Sequence, residues 1–398
     1  MSLPTITFVV SFSLILGLTS LATFPALLPL FIDEWQLSKI DAGWINGLYF
    51  VGYLSVVPIL SSLTDRVPPR IIFLTGMAIS CVSSAAFALY ADGFWTATIF
   101  RTLTGAGLAG IYMPGLKMLT DHLSGPTQSR YIAFYTASFG VGAALSYLLA
   151  GELNAVLNWQ WAFGAAAIGP AIGAFLIVAF LPLEAPHREK APDTHLLDFR
   201  PVFKCRPAMG YVLAYMAHNF ELFAFRSWIV AFLFFVQGTQ AESSIAMTAT
   251  QLAAIINLAG LPASVLGNEL AVKIGRQRAI TLLMILSSLV ALSFGFVATL
   301  PFWVLFVFCI IYSMTILGDS AAVTAGVIGA APEGYKGATM AVHTCIGFTG
   351  SFLGPLAFGV ALDMTNGGVS ILSWGIAFGV IGLTSAVVGL LALVWARR

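Results

Sequence analysis

Twelve stretches of predominantly apolar residues, each long enough for a helix to cross a bilayer at about 20 residues per crossing, dominate this chain. They run 5–32, 41–63, 70–90, 93–118, 129–151, 159–182, 208–237, 246–272, 277–298, 300–326, 336–361 and 369–395. Soluble domains cover runs of this kind with polar chain, and little is available here. Only 9% of the 398 residues are charged and 59% are apolar, against about 25% charged in an ordinary soluble domain. The expected fold class is therefore an all-α membrane protein of twelve transmembrane helices. Gly and Pro inside several runs are tolerated because neighbouring helices satisfy the freed backbone groups. No Lys or Arg precedes the first run, which is longer than a signal-peptide core, so it is read as a retained span.

Basic residues set the orientation. Of the 18 Lys and Arg, only Lys39 falls in the loops of one side, and Arg101 and Arg226 fall inside runs. The others gather in the loops and tail of the side that both termini share. Positive residues accumulate on the cytoplasmic side, so a multi-pass protein of the cytoplasmic (inner) membrane with both termini in the cytoplasm is expected. Residues 183–207 carry Pro186, Pro192, Pro201 and Pro207 among alternating charges. They read as a solvated cytoplasmic linker between an N-terminal six-helix bundle, 1–182, and a C-terminal one, 208–398.

The two halves repeat. At a shift of 208 residues Gly52 meets Gly260, Gly110 meets Gly318, Gly142 meets Gly350, Gly151 meets Gly359 and Arg70 meets Arg278. A single gapless shift equal to a six-span period indicates parallel repeats, which place a substrate site between the halves near the bilayer midplane.

Other chemistries find no support. The formal net charge of +1 lacks the basic surface that nucleic acid requires, so no nucleic-acid partner is expected. Cys81, Cys205, Cys309 and Cys345 show neither metal-ligand spacing nor a disulfide framework. The chain has no phosphate-binding loop, no paired-His metal motif and no serine nucleophile elbow. No enzyme activity, ATP drive, cofactor or metal is expected.

After the second span the chain reads Ser61-Ser62-Leu63-Thr64-Asp65-Arg66-Val67-Pro68-Pro69-Arg70. This resembles the G-x-L-x-D-R-x-G-R-R signature of the major facilitator superfamily, with Leu63, Asp65, Arg66 and Arg70 matching and Ser61 and Pro68 replacing its glycines. Arg101-Thr102-Leu103-Thr104-Gly105-Ala106-Gly107 is similar to the family's R-x-x-x-G-x-G element in span 4. The second-half loop, Lys273 to Arg278, keeps the basic cluster without an aligned Asp. The resemblance implies alternating access, with spans 1, 4, 7 and 10 lining a central cavity. It implies a gating role for Asp65, Arg66 and Arg70. Asp65 would meet the start of span 11 near Lys336, where unpaired N–H groups and the helix dipole favour a carboxylate. It also implies that Arg101 serves proton coupling or helix packing. Gly347, Gly350, Gly354, Pro355 and Gly359 in span 11 resemble a Gly-Pro motif that the family's antiporters carry on span 5, where this chain has no Pro.

An ionisable group at the bilayer centre costs about 2.5–3.5 kcal/mol on insertion scales, so Arg101, Glu221, Arg226 and Asp319 stand out. Span 7 carries Tyr211, Tyr215, His218, Glu221, Phe225 and Arg226. At about 100° per residue, with His218 at zero, Glu221 lies near about −60° and Arg226 near about +80°. The two tyrosines and Phe225 fall between them, so the set shares one broad face. Arg226, His218, Tyr211, Tyr215 and Tyr312 are the candidate substrate-binding residues, with Arg226 drawing an anionic group. Glu221, Asp319 and Arg101 are the candidate proton-coupling residues, since burial disfavours the charged carboxylate. The alternative for span 7 is a Glu221–Arg226 or His218–Glu221 pair that fixes helix packing. His343, alone among glycines, reads as hydrogen-bonded structure.

The function expected is a monomeric secondary transporter that moves a small organic or inorganic anion, coupled to a proton or a counter-solute. The alternative is proton-coupled export of drug-like or amphipathic compounds, with the 31 Phe residues supplying a greasy cavity. Rivals of another class are a membrane-embedded enzyme, a lipid scramblase and a channel.

Overall fold

A computed structural model of the chain describes residues 3–64, 66–122, 128–181, 199–240 and 246–397. In chain order the helices are α1 Leu3–Gly17, α2 Thr23–Ala26, α3 Leu28–Glu34, α4 Lys39–Leu63, α5 Pro69–Tyr90, α6 Phe94–Thr120, α7 Gln128–Val156 and α8 Trp159–Phe180. There follow α9 Arg200–Lys204, α10 Arg206–Thr239, α11 Ala249–Ile274, α12 Arg276–Val297, α13 Phe302–Gly318, α14 Ser320–Ala330, α15 Lys336–Met364 and α16 Ile371–Trp395. Among the described residues, 10 helical runs are long and apolar enough to cross a membrane, α13 with α14 counting as one. The first and fourth expected spans are also helical, as α1 to α3 and as α6. The chain is an all-helical membrane protein.

Two expected spans are not continuous. The first run breaks between Gly17 and Thr23, where the chain turns through Leu18–Ala22. Buried backbone groups need partners, and side chains from two other helices supply them here. Ser146 of α7 donates to the Thr19 carbonyl at 2.7 Å and accepts from the Ala22 amide at 2.9 Å. Arg101 of α6 reaches the Ser20 and Leu21 carbonyls. The tenth run is jointed at Asp319, whose backbone stays near helical at φ −86° and ψ −15°.

The chain divides into two compact units, Met1–Leu27 with Leu48–His195, and Leu28–Gly47 with Leu196–Arg398. In the first, α5 packs on α6 and α8, and α1 packs on α7 and α8. Its core stacks Phe87 on Phe163 at 3.8 Å. In the second, α10 lies against α14, α15 and α16. Phe294 stacks on Phe378 at 4.0 Å, with Phe225, Phe232 and Trp374 around them. Asp363 near the end of α15 caps α4, accepting from the Lys39 amide at 3.2 Å and the Ile40 amide at 2.8 Å. Of the expected linker, residues 182–198 lie outside the described residues. Its last part is packed helix rather than solvated chain, since Val202 of α9 is buried with Met209, Val212, Val327 and Val342.

Glycine decides how closely helices approach. A Cβ on Gly105 of α6 would strike the Tyr49 carbonyl of α4, and one on Gly350 of α15 would strike the Met216 carbonyl of α10. Only a residue without a side chain permits such backbone-to-backbone contact. The repeated positions keep the same neighbours. Gly52 faces α6 and Gly260 faces α13; Gly110 faces Gly76 of α5 and Gly318 faces Leu283 of α12.

Candidate functional site

The polar groups of the second unit converge on α10. His218 Nδ1 lies 2.6 Å from Asp319 Oδ1 at the α13–α14 joint. The His218 ring stacks on Tyr215, with centroids 5.6 Å apart. Tyr215 lies 4.0 Å from the ring of His343 on α15. A column of three rings, drawn from two helices, thus ends on a carboxylate from a third segment. Asp319 and His343 are each 3% exposed, while Tyr215 between the two histidines is only partly buried. His343 Nδ1 is buried with no hydrogen-bond partner among the described residues.

Glu221, one turn from His218, goes elsewhere. Its Oε1 accepts from Tyr312 Oη at 2.9 Å and from Ser287 Oγ. Tyr312 is held edge-on by Phe225 at 4.9 Å and Phe294 at 5.0 Å. Arg226 is 8% exposed, with its guanidinium carbon 5.5 Å from the Phe223 ring centroid, a cation–π distance.

Of the sequence-derived candidates, Tyr215, His218 and Asp319 therefore meet directly, Glu221 and Tyr312 form an adjoining pair, and Arg226 follows on the same helix. Tyr211 does not join them. It packs on Gly326 of α14, about 22 Å along the helix axis from Arg226 at 1.5 Å per residue. Arg101 sits in the first unit, donating to the Ser20 carbonyl at 3.0 Å and to the Leu21 carbonyl at 3.3 Å, with Tyr49 4.3 Å below it. Among the gating candidates, Asp65 lies outside the described residues, Arg66 is exposed, and Arg70 donates to the Val178 carbonyl at 3.1 Å. Ser287 and Asp363, not among the sequence-derived candidates, bond to Glu221 and to the start of α4, and His343 lies beside Tyr215. Asp363 and His343 are intramembrane or near-membrane ionisable groups, a signal that was present.

The chemistry on offer is specific. A histidine–carboxylate pair holds an exchangeable proton, and imidazole changes charge in the physiological range. A guanidinium keeps its charge and presents a planar fork to oxyanions. Among the described residues no three His, Cys, Asp or Glu side chains gather to hold a metal ion.

Residues 8–355 match the pattern of the Major Facilitator Superfamily. The chain is 27% identical over 213 residues to the probable sphingolipid transporter spinster homolog 2 of Arabidopsis thaliana, covering 49% of this chain and 44% of that protein. It is 28% identical over 194 residues to the 3-(3-hydroxy-phenyl)propionate transporter of Escherichia coli (strain K12), covering 48% of this chain and 46% of that one. Each match spans less than half of the relative's length. The fold is similar to that of a bacterial homolog to the human lysosomal transporter Spinster, solved in an inward-facing and unoccupied conformation. That likeness has a TM-score of 0.75 at 14% identity and covers 99% of this chain and 96% of the other.

Proposed function

We propose, since this chain belongs to the Major Facilitator Superfamily and is a secondary transporter rather than an enzyme, that it moves a small organic anion by proton-coupled alternating access. The observation that carries this reading is the buried ionic set on α10, where His218 meets Asp319 at 2.6 Å and Arg226 follows two turns later.

In this mechanism Arg226 draws the anionic group of the cargo and the aromatic neighbours hold its apolar part. A carboxylate cargo accords with the propionate in the name of the Escherichia coli relative. The proton resides on the His218–Asp319 pair. Cargo or water that competes for Asp319 releases it, so loading and protonation are linked. Glu221 is the second acid, tied to Tyr312 and Ser287. Arg101 is assigned to holding the broken first span, because its guanidinium is engaged by backbone carbonyls. Asp65, Arg66 and Arg70 are assigned to one gate, and the Asp363 cap on α4 to the opposite one. The distribution of Lys and Arg supports termini in the cytoplasm and residence in an inner membrane.

Uptake of labelled carboxylates into proteoliposomes under an imposed pH gradient tests the reading. Arg226→Ala is expected to lower uptake roughly 10–100-fold, the loss of one charge-assisted contact, with Arg226→Lys keeping part of it. Unchanged carboxylate uptake by Arg226→Ala would remove the anion argument. Transport of uncharged amphipathic compounds alone would favour the second reading, export of amphipathic molecules, to which the similarity to a probable sphingolipid transporter points.

A further inference from the structure

At the far end of α10 from Arg226, a cavity gathers arginines to which the proposed transport mechanism gives no role. α11 ends at Gly275, whose φ of +92° reverses the chain into α12. Ile274, Gly275, Arg276, Gln277 and Arg278 then line one open cavity of about 610 Å³, together with Tyr211 of α10 and Arg397 beyond α16. Among the described residues three guanidiniums line it and no carboxylate does.

Two of the three are fixed. Arg397 Nε donates to Gln277 Oε1 at 2.7 Å, and Arg276 Nη1 lies 3.5 Å from the Ala322 carbonyl. Arg278 has no hydrogen-bond partner among the described residues. Its repeat mate in the first unit, Arg70, spends its fork on the Val178 carbonyl. The same repeat position thus serves as a strut in one unit and stands uncommitted over a cavity in the other. Like charges held around one hollow repel unless a counter-charge enters, and guanidinium forks match the oxygens of phosphate two at a time. Basic pockets between transmembrane helices take anionic headgroups.

We propose that this cavity binds a phosphate ester, held by Arg276, Arg278 and Arg397, either as the headgroup of an anionic phospholipid or as a soluble phosphorylated molecule. The site is separate from the ionic set around His218.

Two measurements on the purified full chain test this and separate the sources. Native mass spectrometry compares retention of phosphatidylglycerol with that of phosphatidylcholine. Thermal unfolding in detergent is followed with inorganic phosphate and with glycerol phosphate. Arg276→Gln combined with Arg278→Gln is expected to cut phosphatidylglycerol retention roughly 5–10-fold, as for two charge-assisted contacts at a wet site. The pair Lys204→Gln and Lys336→Gln removes as much charge from exposed positions outside the cavity and is expected to change little. Arg397→Gln, at an exposed position, gives a second variant that does not touch the α11–α12 reversal. A lipid-only effect assigns a headgroup, and a thermal shift with the soluble probes, lost in the variants, assigns a soluble ester. Equal retention by the parent and the cavity variants with no such shift overturns the proposal. So does an equal fall in the Lys204 and Lys336 control, which would reduce the attraction to net charge.

Discussion

Each unit interrupts one of its helical runs and sets a buried polar side chain from a neighbouring helix at the interruption, but the two do so with different chemistry. In the first unit Arg101 of α6 spans the break after α1, bonding to two backbone carbonyls. In the second, His218 of α10 meets Asp319 at the joint between α13 and α14. The roles are exchanged under the repeat, since span 4 reaches span 1 in one unit and span 7 reaches span 10 in the other. Arginine cannot give up its proton in a protein, and carbonyls have none to exchange, so the first arrangement is a fixed staple. The second joins an imidazole to a carboxylate, the pair to which the proposed mechanism gives the proton. One architecture thus yields two chemically different joints.

The largest effects should separate the two joints. Arg101→Ala orphans buried carbonyls and is expected to cost about 3–5 kcal/mol of stability, measured by thermal unfolding in detergent. Asp319→Asn keeps a hydrogen bond to His218 and is expected to cost about 1 kcal/mol, yet to abolish the response of uptake to a pH gradient. If Asp319→Asn proved as destabilising as Arg101→Ala while uptake still followed the gradient, the contrast between the units would collapse.

A smaller effect sharpens the comparison at one repeated position. A Cβ on Gly350 would strike the Met216 carbonyl of α10, whereas one on Gly142 would come less close, meeting Leu18 Cβ at 2.8 Å and Ile15 Cα at 3.2 Å. Gly350→Ala is expected to cost about 3 kcal/mol through overpacking, and Gly142→Ala about 1 kcal/mol. Equal losses in unfolding experiments would show that the two helix pairs are equally tight. The smallest effect concerns the other repeated pair. Arg70→Gln removes the bond to Val178 and is expected to cost about 0.5–1 kcal/mol, with Arg278→Gln near zero.

Helix existence, the repeat and the gathering of polar groups on α10 were readable from residues, because hydropathy and small-residue spacing report directly on lipid contact and helix approach. The break after Gly17 was not readable, since Leu18–Ala22 is as apolar as its surroundings and only Arg101 and Ser146, far along the chain, make the break stable. Pairing was also hidden. His218 and Glu221 share a face at neighbouring turns, which suggested a mutual bond, but the hydroxyls of Ser287 and Tyr312 take Glu221 and leave His218 to Asp319. Helical angle fixes azimuth and says nothing of depth, which is why Tyr211 shared a face with Arg226 without sharing its surroundings. His343 looked solitary because its neighbours Tyr215 and His218 belong to a different span.

The 34 residues of α10 amount to about 51 Å of helix at 1.5 Å per residue, against roughly 30 Å of hydrocarbon. The surplus must lean or project into the headgroup layers. Leaning carries Tyr211 and Arg226 in opposite directions, because they lie on either side of the helix middle. Bilayer thickness therefore becomes a mechanical input to this protein, one that adjusts how deep the His218–Asp319 pair sits below the water.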